Sequence, residues 1–406
     1  VIAALAWRNL WRQPRRTVLS SLAIAFTTVF LIFMPSWQYG SYIAMIENTL
    51  RLFDGYAQIQ QPGYQDDPEI RNSISDPGAM LNELKQLQGK KVVTTRAESY
   101  ALLTSDERSF GVRIVGVQPD AEPAVSTIPH NIHEGHYLQS DHSDEIVLGE
   151  TLAKNLRVRV GDRVTLLSMG RDGSLAADSL QVVGVFATGI KEMDRLVAEM
   201  PLPRFQDTFS MPDQAHTVVL SAGSLSDLQP LMKDIRAIAA QHRLVTLDWT
   251  KLQPGLLQGI LLDISSAVLI YVAMVVVVTF SLLNSLLMSV LERTREFGML
   301  MALGMRPGLI GRMVWMETLL LLAIGLGVGI MTGYAVTHYY AHAGIYFGET
   351  QEVFAKFGLP GAMYPEINAF TLLAGPAVIA VCILLAGIYP MLRIYRLQPV
   401  QAMGTV

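Results

Sequence analysis

Four ionic side chains, Glu292, Arg293, Arg295 and Glu296, stand together, and Phe297, Met299, Leu300, Met301 and Leu303 follow at near-helical spacing before Gly304 and Pro307. Charge at one end and an apolar stripe along the rest describe a short amphipathic helix over residues 291–305 with a surface made to grip a partner. The chemistry such a helix performs is docking. Bond-making chemistry has no comparable signature. The chain contains no GxxxxGK[ST] loop to cradle nucleotide phosphates, no HExxH, no paired CxxC and no GxSxG elbow around a serine. His130, His133 and His136 share a three-residue spacing that would put them on one side of a helix, but Pro129 and Gly135 argue for a surface loop there, and no cysteine stands near as a further ligand. Glu317 lies in an otherwise apolar run, where a carboxylate needs a cation; Arg312 or Arg306 is the expected partner of a structural ion pair.

The elements that must position these residues are membrane spans. Apolar residues make up 51% of the 406 positions and charged residues only 16%. Windows at Val18–Trp37, Leu262–Val290, Met313–Val336 and Phe370–Leu392 are each long enough to cross a hydrocarbon core of roughly 30 Å. Arg8, Arg12, Arg15 and Arg16 precede the first window, Arg293, Arg295, Arg306 and Arg312 lie between the second and third, and Arg393 and Arg396 follow the fourth. The positive-inside bias then places both termini and the 291–305 helix in the cytoplasm. Trp7 and Trp11, four apart among these arginines, read as an interfacial helix over residues 1–17 that ends where Pro14 turns the chain inward. The small formal charge of -4 gives no sign of nucleic-acid binding.

The long segment after the first window is a domain in its own right. Residues 18–54 read as the first span and a stalk, because Ile43, Ile46, Leu50 and Phe53 keep helical spacing beyond the apolar run. Period-2 patterns then predict an α+β layer in two halves, 55–118 and 216–255, with a β-rich insert at 119–215 between them. Within the insert, Pro201, Pro203 and Pro212 bracket Leu202–Met211, which predicts a protruding loop. The sole cysteine, Cys382, falls in the fourth window, so no disulfide staples this domain. Residues 256–406 hold the remaining three spans. Gly325, Gly329 and Gly333 form a small-residue face for helix packing in the third. The expected fold class is an α-helical membrane protein with four transmembrane helices and a large α+β extracytoplasmic domain.

Three stretches carry a family resemblance: WRNLWRQPRRT from Trp7, ERTREFGMLMALGM from Glu292 and GIYPMLRIYRLQPVQAM from Gly387. With one span before a large outer domain and three after it, the chain resembles the permease subunits of the MacB/FtsX superfamily of ABC transporters, the type VII group. In the outer domain, VRIVGVQPD, EIVLGETLAKNLRVRVGDRVTLLS and LQVVGVFATGIKEMD are similar to the lipoprotein-releasing LolC and LolE group. The resemblance implies a porter-like layer with a Sabre-like insert, a coupling helix that sits on a separate cytoplasmic ATPase dimer, and a second permease copy or homologue as partner. It places the protein in the bacterial inner membrane with its large domain periplasmic. ATP and magnesium would belong to the ATPase, and this chain would be non-catalytic. A periplasmic carrier or adaptor is a possible further partner. The implied function is extraction or export of lipoproteins or similar amphiphiles; the alternatives are a MacB-like peptide or drug exporter and an FtsX-like signalling subunit that regulates a cell-wall hydrolase. Glu292, Arg293, Arg295, Glu296, Phe297, Met299 and Leu300 are the candidate ATPase-coupling residues, and Ile32, Phe33, Met34 and Ile43 the candidate cargo contacts.

Overall fold

A computed structural model of the chain describes residues 2–89, 91–106, 108–139, 143–346 and 362–395. These fall into two compact units, one formed by residues 2–43, 259–346 and 362–395 and the other lying within 44–258.

The first unit is helical. Four helices are long and apolar enough to cross a membrane: Pro14–Asp54, Pro254–Glu292, Pro307–Ala343 and Ala369–Tyr395. The shortest has 27 residues, about 40 Å of helix at 1.5 Å per residue, which exceeds a core of roughly 30 Å. A separate helix, Ile2–Leu10, precedes them, and Trp7 and Trp11 meet edge-to-face at 6.0 Å. The expected interfacial helix therefore ends earlier than Arg16. Pro14 opens the first spanning helix, where its missing N–H costs nothing. Ile24, Leu31, Leu282, Leu321, Ile379 and Ile383 form the shared core of this unit. Arg396 lies outside the described residues.

The stripe of small residues in the third helix decides how closely it approaches the first. A Cβ built on Gly325 would lie 2.6 Å from Ile24 Cβ, and one on Gly329 would lie 2.6 Å from Thr28 Cβ. At Gly333 the nearest atom would be Ile32 Cδ1, at 3.1 Å. The three glycines thus let two helices of the same chain touch along their backbones.

The second unit is built on strands β1 (Ala57–Gln60), β2 (Ile74–Ser75), β3 (Lys91–Thr104), β4 (Ser109–Val117), β5 (Ile132–Gly135), β6 (Glu145–Gly149), β7 (Arg163–Met169), β8 (Leu175–Phe186), β9 (Val197–Pro201), β10 (Gln214–Ala215), β11 (Thr217–Ala222) and β12 (Val245–Asp248). The main sheet runs β12-β1-β11-β3-β4-β9-β6-β8-β5, with β7 bridging β3 and β8. Helices Gly78–Gln86 and Met232–Gln241 add Met80, Leu84, Ile235 and Ala239 to the buried residues of the layer.

One strand ties the two-halved layer to the residues expected as an insert. The first part of β3, Lys91–Arg96, pairs with β11, and the rest, Ala97–Thr104, pairs with β4. Then β9 adds in parallel to β4, so the strands of 119–215 extend the same sheet. The Leu202–Met211 expectation is corrected. Residues Leu202–Thr208 form a helix that buries Leu202 and Phe205, and Phe209 and Met211 after it are also inaccessible. Phe205 stacks on Phe209 at 4.2 Å. Prolines at the first positions of a helix cost no hydrogen bond, so Pro203 marks a helix start and not a protruding loop.

The sheet also buries charge. Arg96 and Glu122 form an ion pair that is inaccessible on both sides, and the Arg96 guanidinium sits 4.4 Å from the centre of the Phe53 ring. Glu199 on β9 is fully buried beside them; it accepts a hydrogen bond from the Tyr137 hydroxyl at 2.8 Å, and its other oxygen has no partner among the described residues. Burial, and then the neighbouring Glu122 carboxylate, push the Glu199 carboxyl up to about 8. Between the ordinary carboxyl range and that value the folded chain holds more protons than the unfolded one, so this group's contribution to stability is present at low pH and lost as pH rises through about 8. Glu199→Gln keeps the shape and removes the titration. It is expected to melt higher than the parent at pH 9, by ~3 °C or more, with the difference closing near pH 5. Parallel thermal melts of the full chain at the two pH values check this; an equal offset at both would exclude the titration as its cause.

Candidate functional site

The residues singled out at 291–305 divide between two roles. The second spanning helix ends at Glu292, Arg293 breaks it with φ -101°, and a new helix covers Thr294–Ala302. Gly304, at φ +93°, turns the chain so that Pro307 can start the third spanning helix. Glu292 is thus the last residue of a span and not part of the short helix.

Most of the ionic side chains are engaged inside the chain. Arg12 donates to both carboxylate oxygens of Glu296, at 3.1 and 3.0 Å, and Arg293 Nε adds a third bond at 3.3 Å. The hydrogen bonds from Arg12, with those from Arg293, hold the Glu296 carboxyl below the usual range. Gln13 donates to Glu292 at 3.3 Å, and Arg16 stands 3.9 Å from it. Arg293 Nη1 reaches both oxygens of Glu317, at 3.1 and 3.2 Å, and Asn9 Nδ2 donates to Glu317 at 2.8 Å. The partners of Glu317 are therefore Arg293 and Asn9, in place of the expected Arg306 or Arg312.

The apolar side of the short helix is also divided. Phe297 is fully buried, and Leu300, Met301 and Met305 pack beside it on Val290, Ile310, Met313, Val314 and Ile394. What remains open is Arg295, Met299 at 51% exposure, Ala302 and Leu303 at 85%. Arg295, Met299 and Ala302 share one helical face. Of the candidate coupling residues, the free surface therefore holds Arg295 and Met299; Glu292 is exposed but engaged, and Arg293, Glu296, Phe297 and Leu300 hold the helix in place.

The candidate cargo contacts are buried or half-buried on the first spanning helix. Ile32 is fully buried against Gly333 of the third helix, and Phe33 meets Tyr340 edge-on at 5.8 Å. Met34 and Ile43 are half-buried. None of the four lines an apolar groove of about 600 Å³ among the first, second and fourth spanning helices. Leu31, Pro35, Val268, Val272, Phe370 and Val378 are among its walls. Its volume is within the ~300–1,000 Å³ typical of small-molecule sites. Gln38 and Tyr42, one turn apart on the first helix, supply its polar end: both donate to Asp263, at 2.8 and 2.5 Å, and Tyr271 donates to Gln38 at 3.1 Å. That four-residue spacing of polar residues beyond an apolar run was the available sequence signal.

Comparison with known proteins decides the family. The MacB-like periplasmic core domain matches residues 17–238, more than half of the chain, and the FtsX-like permease C-terminal region matches 268–399. The chain belongs to the MacB/FtsX family of permeases. The lipoprotein-releasing system transmembrane protein LolC of Xylella fastidiosa (strain 9a5c) is 25% identical over 320 residues, covering 75% of this chain and 76% of that protein. LolE of Haemophilus influenzae, of the same system, is 25% identical over 330 residues, covering 75% of each. The crystal structure of the periplasmic region of MacB from Actinobacillus actinomycetemcomitans matches 49% of this chain and 90% of that one, at 14% identity and a TM-score of 0.35.

The histidines of this permease are dispersed. His130 sits in a 3-10 turn, His133 in β5 and His136 just after it, with its Nδ1 2.9 Å from the Tyr137 carbonyl oxygen. Among the described residues no group of three His, Cys, Asp or Glu side chains is placed to hold a metal ion.

Proposed function

We propose that this permease is the membrane subunit of a mechanotransmitting ABC transporter that extracts or exports lipoproteins or similar amphiphiles from the bacterial inner membrane, driven by a separate cytoplasmic ATPase dimer. The observation that carries the reading is the groove among the first, second and fourth spans, apolar along its walls and polar at the Gln38, Tyr42 and Asp263 end. An acylated cargo has the same division, hydrocarbon next to a polar body. The names of the relatives LolC and LolE, both of a lipoprotein-releasing system, point the same way.

In this reading the termini and the short helix face the cytoplasm and the second unit is periplasmic. A second permease copy or a homologue covers the open side of the second span, where Leu262, Leu269, Ile270, Val277 and Phe280 are exposed. The ATPase holds ATP and magnesium, and its closure moves the short helix. Arg293 ties that helix to Glu317 in the third span and Arg12 ties it to the N-terminal segment, so motion at its surface is passed into the spans. The match to a MacB-like periplasmic core supports a second reading, a peptide exporter that works with an adaptor or carrier.

A photocrosslinking side chain at Val268 or Val272, both exposed on the groove, is expected to capture acyl-labelled lipoprotein in the nucleotide-free complex, several-fold more than one at Met34 or Ile43. ATP added before irradiation should release the cargo and prevent the adduct from forming. Adducts with phospholipid or neighbouring helices alone would overturn the lipoprotein assignment, and a peptide adduct would support the MacB-like reading.

A further inference from the structure

One end of the helical unit, the end that carries the short helix, holds far more positive than negative charge. Residues 2–22, 286–320 and 388–395 contain nine arginines, no lysine, no aspartate and three glutamates. Each glutamate is already engaged: Glu296 with Arg12 and Arg293, Glu292 with Gln13 and Arg16, and Glu317 with Arg293 and Asn9. The surplus of guanidinium groups is therefore not neutralised within the described chain. The use of arginine alone points to an anion with paired oxygens, because a guanidinium donates two parallel hydrogen bonds to a phosphate where an ammonium acts as a point charge.

Two of these arginines stand in apolar surroundings. Arg8 and Arg15 are exposed, and neither meets a carboxylate among the described residues. Arg8 projects from the side of helix Ile2–Leu10 opposite the buried Ala6 and Leu10, flanked by the exposed Leu5 and Trp7. Arg15 lies in the first turn of the first spanning helix. Val18, Leu19 and Leu22 follow it at three, four and seven positions, on the same helical face, and all three are exposed. Arg15 thus heads an apolar stripe that runs down the span. A phospholipid has the same layout, a phosphate above hydrocarbon chains. A partner dissolved in water could use the cations but not a stripe that continues into the bilayer. Trp7 and Trp11, both exposed beside the arginines, fit headgroup depth, where indole rings concentrate. The unneutralised positive charge favours a headgroup with net negative charge over one that carries its own cation.

We propose that Arg8 and Arg15 bind the headgroup phosphate of anionic phospholipid, with acyl chains along Val18, Leu19 and Leu22. Assignment of that lipid to the inner leaflet rests on the cytoplasmic placement of the termini in the transport reading. The binding itself does not, and it is measured without cargo, nucleotide or ATPase, so its failure is separate from failure of the lipoprotein assignment. The test is native mass spectrometry of the full chain in neutral detergent with equimolar phosphatidylglycerol and phosphatidylcholine. The parent is expected to retain phosphatidylglycerol in preference by ~tenfold or more. The Arg8→Gln, Arg15→Gln double variant should lose most of that preference with its thermal melt unchanged, the Arg8→Lys, Arg15→Lys variant should lose less, and Arg306→Gln should match the parent. Equal retention of the two lipids by the parent overturns the proposal. So does a preference that survives the double glutamine change, which places the lipid on other arginines. Loss of copurifying ATPase in that variant with the lipid preference intact also overturns it and marks a protein contact. Displacement of phosphatidylglycerol by excess inorganic phosphate overturns the lipid assignment in favour of a free anion.

Discussion

A Met299→Asp, Leu303→Asp double variant is expected to lose at least ~tenfold of the copurifying cytoplasmic ATPase, with the thermal melt of the permease unchanged. The expectation rests on which atoms of the short helix are free. Phe297 is buried, and Leu300 and Met301 are partly buried, on the ends of the second, third and fourth spanning helices, so most of their surface is already covered. Leu303 is 85% exposed beside Met299 at 51%, and these two supply the apolar contact that remains. Interface energy concentrates in a few well-packed side chains surrounded by neutral contacts, and two introduced carboxylates there would replace the apolar contact with groups that must be desolvated on docking. Arg295→Glu should act in the same direction. Glu296→Lys should act differently: it repels Arg12 and Arg293, so it displaces the helix and lowers the melt of the permease itself. Copurification and ATP turnover, measured beside a melt, separate the two. Full retention of the ATPase by the double variant would move the contact surface off this helix.

Arg293→Ala is expected to cost ~3–5 kcal/mol in the stability of the helical unit, the largest effect of any single substitution at this end of the molecule. Glu317 is 8% exposed and has two partners, Arg293 and Asn9. Removing the guanidinium leaves a buried carboxylate with one neutral donor, and the desolvation cost is no longer offset. Glu317→Gln should cost less, because an amide needs no counter-charge and Asn9 can still pair with it. In the double variant Arg293→Met, Glu317→Gln most of the loss should return, since neither charge is then buried. The cycle is read from thermal or denaturant unfolding in nanodiscs. Additive costs for the two single changes would show that Arg293 works through Glu296, at 3.3 Å, or the Phe297 ring, at 5.2 Å, and not through Glu317.

Legibility in this chain followed range. The spans were readable because each is a continuous apolar run, and hydrocarbon tolerates nothing else. Strands β1, β4 and β7 were readable because apolar residues recur at every second position along much of their length. The turn from Arg293 to Pro307 was readable because glycine and proline act locally. By contrast, the face of the first span that lines the groove was not readable. That helix is apolar on nearly all sides, so its periodicity does not distinguish Leu31 and Pro35 on the groove from Ile32 packed on Gly333. The Pro-bracketed segment after β9 failed for a related reason. Proline excludes a central strand but permits a helix start, and only the burial of Phe205 and Phe209 selects between loop and helix.

The amino-acid sequence by itself determined the family pattern, the four spans, the α+β domain and the amphipathic character of residues 294–302, because hydrophobic length and period are properties of neighbouring residues. The tertiary structure alone decided which charges of that helix are free. Arg12 and Glu296 are 284 positions apart, and Asn9 and Glu317 are 308 apart. Electrostatic pairing depends on distance in space, which the packing of the helices sets. The same packing turned Glu292, Arg293 and Glu296 into internal fastenings and left Arg295, Met299 and Leu303 as the open surface.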